Sequence, residues 1–249
     1  MESIDLSAIA AAAKRPLTLK AVPQTGSTND DLKAAAKTGA PNYSVLIADR
    51  QLAGRGREGR RFVSASGLYM SVLLPVSCEA LPYLTHIAAL AVCRALNEVA
   101  AVNAEIKWVN DVFVEGKKVC GILTESMVVG ESRRYVVGIG VNANTPTDAF
   151  PKELKDIAGS VKADRTALAA AILNHLFSLA EETPLDAVKK EYVEGCFLIG
   201  KRVTVVKENG EKEATVRGLS EALGLWVVYD DGEKEELTSG EVRSVRVSR

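Results

Sequence analysis

Apolar residues in the first part of the chain follow strand and helix periods in turn. An alternating segment at residues 18–22 predicts a strand that ends near Pro23, and the segments SVLIAD and GLYMSVLLP predict two buried strands. Ser27 and Thr28 precede a polar segment with two aspartates in its first turn, which predicts a short capped helix. A first helix is expected over residues 2–13, and LPYLTHIAALAVCRALNEVAA has the apolar spacing of a long central helix.

From Glu105 onwards the pattern becomes a series of strands. The segments EIKWV, KVCGILTESMVV and RRYVVGIGVNAN are separated by turns at Gly116 and Gly130, so we expect successive antiparallel neighbours in one sheet. Helical spacing then returns in three segments, at about 148–157, 164–182 and 184–194.

After Gly200 the chain changes to short strands joined by Asn-Gly and Asp-Gly turns, at the spacing of a small barrel. These segments are VTVVKE, EATVRGLS, LWVVYDD, EKEELTS and VRSVRVS. The pattern therefore predicts an α+β fold. A mixed or antiparallel central sheet with flanking helices is expected over residues 1–197, and a small β-barrel over residues 198–249.

The composition is that of a soluble globular protein and disfavours some classes of partner. With 31 Lys and Arg against 32 Asp and Glu, the net charge of −1 provides no basic field to hold nucleic acid. The longest apolar run, IAALAV, is far shorter than the roughly 20 residues that cross a membrane. The N-terminal segment carries acids where a secretory signal carries bases. We therefore expect a cytoplasmic protein with reduced thiols, and neither nucleic acid nor membrane as partner.

Cysteines and histidines are scattered, and no pair has the spacing of metal ligands. We expect core or half-buried residues at all six positions and predict no metal site from them. These residues are Cys78, Cys93, Cys120, Cys196, His86 and His175.

Four segments carry candidate chemistry, and each also has an ordinary structural explanation. Ser27-Thr28-Asn29 caps a helix, and the same hydroxyls and amide can meet a polar ligand group at the helix N-terminus. The glycine- and arginine-rich segment 51–61 follows a buried strand. Glycine lets the backbone approach an anion and guanidinium groups bind phosphate or carboxylate, although a solvated basic turn fits as well. The segment is neither a P-loop nor a dinucleotide fingerprint.

The other two segments lie on predicted strands. Lys107 in KWVND either pairs with an anion or points to solvent from an edge strand, because burying an unpaired lysine is costly. Gly138 and Gly140 in GIGVN indicate a bulge or the close approach of a flat ligand or another backbone. Asn142, in the same segment, can offer a donor and an acceptor together.

Together, in this order, the segments STN, QLAGRGREGRRF, KWVND, KKVCGIL and GIGVN resemble the catalytic domain of biotin protein ligases over about residues 18–145. The C-terminal strands, with their GEVRSV ending, resemble the tail domain of the same family. The resemblance implies a catalytic domain of the class II synthetase type followed by an SH3-like barrel. It also implies a biotin–[acetyl-CoA-carboxylase] ligase. Such an enzyme uses ATP, with Mg²⁺ on the phosphates, to convert biotin to biotinyl-5′-AMP, and transfers biotin to a lysine of a biotin carboxyl carrier protein.

The resemblance also implies roles for residues of this chain. Arg57 and Lys107 are the expected catalytic residues, with Lys107 between the biotin carboxylate and the α-phosphate. The biotin-binding set is Ser27, Thr28, Asn29, Gln51, Arg55, Gly56, Arg57, Lys107, Gly121, Ile122 and Leu123. The set for ATP and the adenylate is Arg55, Arg57, Lys107, Asn110 and Asn142.

This chain departs from the family pattern at two positions. Val109 stands where proline is usual, and Phe62 where tryptophan is frequent. The resemblance implies that segment 51–61, the glycine–arginine loop, closes over the adenylate, and the packing that holds the closed loop is expected to differ in this chain. About twenty residues precede the first predicted strand, too few for the winged-helix domain of bifunctional ligase–repressors, which predicts the monofunctional class.

Two alternatives stay open beside a biotin ligase. One is a lipoate or octanoate ligase, which has a related fold, although the GRGR and KWVND segments favour biotin. The other is a biotin-responsive regulatory binding protein, which the net charge of −1 disfavours. A homodimer is also left open.

Overall fold

A computed structural model describes residues 3–59, 62, 66–75, 81–207, 210–238 and 241–244 of the protein. Arg60 and Arg61 of the glycine- and arginine-rich segment, and Cys78, lie outside these residues. The helices are α1 (Leu6–Ala12), α2 (Thr28–Lys37), α3 (Leu84–Ala100), α4 (Arg165–Phe177) and α5 (Leu185–Gly195). The strands are β1 (Thr18–Thr25), β2 (Ser44–Gln51), β3 (Leu68–Leu74), β4 (Ala104–Lys107), β5 (Asp111–Val114), β6 (Lys117–Val129), β7 (Ser132–Val141), β8 (Arg202–Lys207), β9 (Gly210–Leu219), β10 (Leu225–Tyr229), β11 (Lys234–Leu237) and β12 (Glu241–Ser244).

The first sheet is mixed, and within the described residues it has seven strands in the order β1-β2-β3-β7-β6-β5-β4. β1 and β2 run parallel, and the other neighbouring pairs are antiparallel. The predicted α+β class with a mixed central sheet is confirmed, as is the antiparallel pairing of β6 with β7. β4 and β6 were expected to be neighbours, but β5 lies between them. The sequence pattern did not separate β5, because Asp111–Val114 continues the mostly apolar segment WVNDVFV.

Successive side chains along a strand point to opposite faces of the sheet. The two faces of the first sheet pack against different helices. On one face, residues such as Val72 and Val137 join α3 in a large core. On the other face, Leu73 and Val136 join Leu32 of α2 in a small core. α2 has 10 residues and lies over only part of its face. The cavity described below lies on this second face, beside the N-terminus of α2.

The C-terminal strands form a second sheet, antiparallel throughout, with the order β11-β10-β9-β8-β12 over the part of the chain that is described. This sheet packs on the first. Trp108 donates a hydrogen bond through Nε1 to the carbonyl of Leu223 at 2.9 Å, and Val203 and Val227 lie in the large core. Since Trp108 follows β4 directly, the C-terminal sheet contacts the segment that carries Lys107.

The prediction of a helix at residues 148–157 is wrong. The chain there forms two short 3₁₀ turns, Thr147–Ala149 and Lys152–Leu154. Pro151 explains the break, because proline lacks an N–H and disfavours helical dihedral angles at the residue before it. Phe150 is accordingly extended, with φ −79° and ψ 136°.

The helix predicted at 164–182 is confirmed at its start. Asp164 caps α4 by accepting hydrogen bonds from the backbone N–H groups of Thr166 and Ala167. Its last turns differ, since a π-helical turn, Ser178–Glu182, follows α4. Among the described helices, none combines the length and the hydropathy that a membrane crossing requires.

The contribution of the ion pair between Arg165 and Asp49 to the stability of the fold can be tested. The Arg165 side chain is 5% exposed, pairs with Asp49 at 2.5 Å and donates to the carbonyl of Gly67 at 3.0 Å. Asp49→Ala should lower the free energy of unfolding by about 2–3 kcal/mol, somewhat less than for a fully buried pair because the Asp49 side chain is partly exposed. Urea denaturation measures this loss.

The matched control is Asp230→Ala, which breaks the Arg202–Asp230 pair, in which both side chains are more than half exposed. It should change the free energy of unfolding by less than about 1 kcal/mol. Equal losses in the two variants would show that the burial of Arg165 does not increase the contribution of its ion pair to the free energy of unfolding.

Candidate functional site

The site lies where glycines leave part of the α2 face of the first sheet without side chains. Cross-strand pairing puts Gly121 opposite Gly140, and Gly138 lies two residues along the same face. A Cβ at Gly138 would collide with the Asn29 amide, and a Cβ at Gly121 or Gly140 would lie 2.8 Å from the Phe62 ring. The close approach expected at the GIGVN glycines is therefore made by two side chains, and not by another backbone.

A hydrogen-bond network holds the residues at the N-terminus of α2. Ser27 caps the helix, and the side-chain oxygen of Gln51 accepts from the backbone N–H (2.8 Å) and the hydroxyl (3.0 Å) of Thr28. The Ser71 hydroxyl lies 2.8 Å from Thr28 Oγ1 and 2.6 Å from Asn29 Oδ1. Ser27, Thr28 and Asn29 are each about 95% buried. Their polar atoms are therefore held in fixed directions, as buried polar groups require.

Glu125 on β6 joins this network to the glycine–arginine loop. It accepts a hydrogen bond from Asn29 Nδ2 at 2.7 Å, and it pairs with Lys33 Nζ at 2.8 Å and Arg55 Nη2 at 3.1 Å. Arg55 also pairs with Asp30 at 2.5 Å. Burial opposes ionisation of Glu125, but the hydrogen bonds from Lys33 and Asn29 and the nearby positive charges outweigh it and lower the pKa of Glu125.

These groups line a cavity of about 210 Å³, which we call the first cavity. It brings together twelve of the residues that the sequence analysis assigned to ligand binding: Ser27, Thr28, Asn29, Gln51, Arg55, Gly56, Arg57, Lys107, Asn110, Gly121, Ile122 and Leu123. The remaining wall is formed by Phe62, Trp108, Asp111, Lys118, Gly138, Ile139, Gly140 and Val242.

Asn142, the remaining predicted residue, lies in a second cavity of about 140 Å³ that Phe62 and Lys118 also line. Its Nδ2 donates to the carbonyl of Gly159 at 3.0 Å. Its Oδ1 is buried and has no hydrogen-bond partner among the described residues. An unsatisfied buried acceptor is costly, so this atom is suited to receive a donor from a ligand.

Two lysines line the first cavity. Lys107 Nζ lies 5.7 Å from the centroid of the Phe113 ring. Lys118 Nζ pairs with Asp111 Oδ1 at 2.7 Å and lies 6.0 Å from the centroid of the Phe62 ring, at the junction of the two cavities. Lys118 belongs to the KKVCGIL segment, and no role was predicted for it. Its membership of that motif, three residues before Gly121, is the signal that could have identified it.

Histidine and cysteine side chains do not form a metal centre in the described part of the chain, where no group of three His, Cys, Asp or Glu residues could hold an ion. His86 is buried, and this desolvation lowers its pKa to about 4. His175 is half-buried beside Glu98, at 2.8 Å. The described cysteines are buried, as expected, and burial raises their pKa, which favours the neutral thiol.

Comparison with known proteins gives matches over most of the chain. The sequence model of the Biotin/lipoate A/B protein ligase family matches residues 21–142, and that of the Biotin protein ligase C terminal domain matches residues 198–243. The bifunctional ligase/repressor BirA of Bacillus spizizenii is 32% identical over 230 residues, which cover 84% of this chain and 69% of that relative. A biotin–[acetyl-CoA-carboxylase] ligase of Mycobacterium tuberculosis is 34% identical over 208 residues, 78% of this chain and 76% of that relative.

A solved structure extends this likeness to the fold. The biotin protein ligase from Aquifex aeolicus in complex with biotin and ATP matches with a TM-score of 0.76 and 30% identity, covering 92% of this chain and 99% of its own. The resemblance in the sequence motifs is thereby confirmed. Sequence identity and fold agree over both sheets, and this chain belongs to the biotin protein ligase family.

Proposed function

We propose that this protein activates biotin with ATP and transfers it to a lysine of a biotin carboxyl carrier protein. The observation that carries the proposal is the pair of adjoining cavities, one beside the polar N-terminus of α2 and one beside Asn142, with Lys118 lining both. Biotin in the first cavity and adenosine in the second would bring the biotin carboxylate and the α-phosphate together at this junction. The Aquifex relative, whose structure is a complex with biotin and ATP, supports the choice of these two ligands.

The first cavity suits biotin because it combines a polar end with apolar walls. The ureido group has two N–H donors and a carbonyl acceptor. The Thr28 hydroxyl and the Asn29 amide already donate to Gln51, Leu123 and Glu125, so their oxygen atoms are suited to accept from the ureido N–H groups. Leu123 and Trp108 offer apolar surface for the fused rings and the acyl chain.

Activation of the carboxylate requires positive charge, because a weak nucleophile must approach a polyanion. Arg57, Lys107 and Lys118 line the first cavity and can supply it. A carboxylate oxygen of biotin attacks the α-phosphorus, the bond to the β-phosphate oxygen breaks, and pyrophosphate leaves biotinyl-5′-AMP in the site. The carrier lysine amine then attacks the acyl carbon, so that an amide forms and AMP departs.

Mg²⁺ is proposed to enter with ATP. Magnesium is usually held by one or two carboxylates together with the phosphates of its substrate. Asp111 is the one carboxylate among the described residues that line the two cavities, and it is paired with Lys118. The ion would therefore rest chiefly on the phosphates, where it would neutralise charge.

The carrier is proposed to belong to acetyl-CoA carboxylase or a related carboxylase, as the name of the Mycobacterium relative states for that protein. We also propose a division into a catalytic domain, residues 1–197, and an SH3-like domain, residues 198–249, in agreement with the C-terminal family match. Since Val242 lines the first cavity, the C-terminal domain would complete one wall of the site while the adenylation residues lie in the catalytic domain.

Mass spectrometry after incubation with ATP, Mg²⁺ and biotin tests the proposal. A retained ligand with the mass of biotinyl-5′-AMP is expected, and a parallel incubation with lipoate or octanoate addresses the alternative within the same family. Acyl-adenylate formation with octanoate but not with biotin would replace the proposed substrate.

Removing the cations of the first cavity should impair chemistry more than biotin binding. Arg57→Ala, Lys107→Ala and Lys118→Ala each remove a donor proposed to meet charge that develops at the α-phosphate. Such a loss costs about 3–4 kcal/mol, on the order of a hundredfold to a thousandfold in rate. Pyrophosphate release at varied biotin concentration measures it. Near-normal rates in a variant would remove that residue from the catalytic set and would decide between the two lysines.

Thr28→Val is the matched control, since it should raise the biotin requirement with a smaller effect on the maximal rate. The variant keeps the shape of Thr28 but removes the hydroxyl proposed to meet the ureido group, which leaves that group without a partner at a cost of about 1–3 kcal/mol.

Asn142→Ala should weaken ATP binding with little effect on biotin. Loss of the buried amide removes the atom proposed to meet adenine, so KM for ATP should rise about tenfold, equivalent to about 1.4 kcal/mol. Asn174→Ala is the control, because Asn174 hydrogen-bonds Ala12 and Lys14 away from both cavities. A similar rise in the KM for biotin would contradict separate sites for the two ligands.

A further inference from the structure

Arg55 points to a role that the sequence motifs do not assign. The resemblance implies that this arginine binds biotin and the adenylate. Its guanidinium, however, pairs with two carboxylates of the protein, Asp30 at the N-terminus of α2 and Glu125 on β6. The Arg55 side chain is 40% exposed and the Glu125 side chain 21%, so Glu125 is the less exposed partner of the pair.

The same carboxylate also determines which way the Asn29 amide faces. Asn29 Oδ1 lies 2.6 Å from the Ser71 hydroxyl, while Nδ2 donates to Glu125 at 2.7 Å and to the carbonyl of Leu123 at 3.2 Å. Two acceptors on one side of the amide exclude the flipped orientation, in which the amide oxygen would face both of them. The Asn29 surface that faces the first cavity is therefore set partly by Glu125.

We propose that Glu125 is a positioning residue that couples the biotin pocket to the glycine–arginine loop, because one carboxylate both orients Asn29 and anchors Arg55. Pairing in the sheet supports this role, since Glu125 lies opposite Val136 on β7, two residues from Gly138, at which the Asn29 side chain inserts. Lys33 holds the carboxylate from α2 at 2.8 Å. The inference rests on the proposed function only where it names biotin and its adenylate.

A loop anchored in this way should retain the reactive intermediate. Biotinyl-5′-AMP that escapes or meets water is hydrolysed to biotin and AMP, with water attacking the acyl carbon and AMP leaving. Loss of the anchor should therefore increase AMP production in the absence of carrier protein. A general structural defect would decrease it, so the sign of the change separates positioning from stability.

The test compares three variants of the full chain at saturating ATP, without carrier. Glu125→Gln should raise both the KM for biotin and the carrier-independent rate of AMP production about tenfold, since a charge-assisted contact is lost on each side. Asp30→Asn touches the loop but not Asn29, and should raise AMP production several-fold with the KM for biotin unchanged. Glu191→Gln removes the Arg94–Glu191 pair, which is comparably exposed and joins α3 to α5, and should change neither.

Trypsin cleavage after Arg55 and Arg57, without ligands, is the second measurement. Glu125→Gln and Asp30→Asn should both be cut faster than Glu191→Gln. Unchanged cleavage, or an AMP rate that falls in Glu125→Gln, would overturn the proposal, and so would an equal rise in the KM for biotin in Asp30→Asn. If the wild-type protein makes neither biotinyl-5′-AMP nor biotin-dependent AMP, the proposed function fails, while the cleavage rates still decide whether Glu125 anchors the loop.

Discussion

The site depends on one steric constraint, the removal of side chains from part of one sheet face. Gly121, Gly138 and Gly140 leave a shallow depression on paired strands, and the Asn29 amide and the Phe62 ring enter it. Insertion of Asn29 fixes the N-terminus of α2 against the sheet, and insertion of Phe62 brings the end of the glycine–arginine loop to the junction of the two cavities. Because interiors are close-packed, a methyl group at any of the three glycines would displace one of these side chains.

The fold could be predicted from the sequence wherever one local signal dominated. The alternation in SVLIAD and the cap at Asp164 are such signals, and both correspond to observed elements. The prediction failed at residues 148–157, where the breaking effect of Pro151 outweighs the helical spacing. It missed β5, because a strand of four residues inside a longer apolar segment has no boundary of its own.

Residues of the site could be predicted only where they belong to a recognisable sequence motif. The STN and KWVND segments indicate residues that do line one cavity, although their roles stay predictions. Glu125 could not be identified in the same way, because it is an ordinary charged residue on a strand until the pairing of β6 with its neighbours is known. Lys118 belongs to the KKVCGIL motif, but its partner is likewise evident only from that pairing. Only the three-dimensional register puts Glu125 beside Asn29 and Arg55, and Lys118 beside Asp111.

The pairing of cations with carboxylates around the cavities follows from this register and has a chemical consequence. Lys118, at the junction of the two cavities, is held by Asp111, and Arg55, elsewhere in the wall of the first cavity, is held by Glu125, so both cations have fixed positions before a ligand enters. A carboxylate neighbour reduces the attraction of each cation for phosphate, yet it removes much of the conformational freedom that a long side chain loses when it binds. Stabilisation of a transition state depends on charges that are already in position when charge develops. A site of this kind binds the free nucleotide less tightly. Its electrostatic stabilisation acts mainly in the transition state of the step in which the acyl-phosphate bond forms.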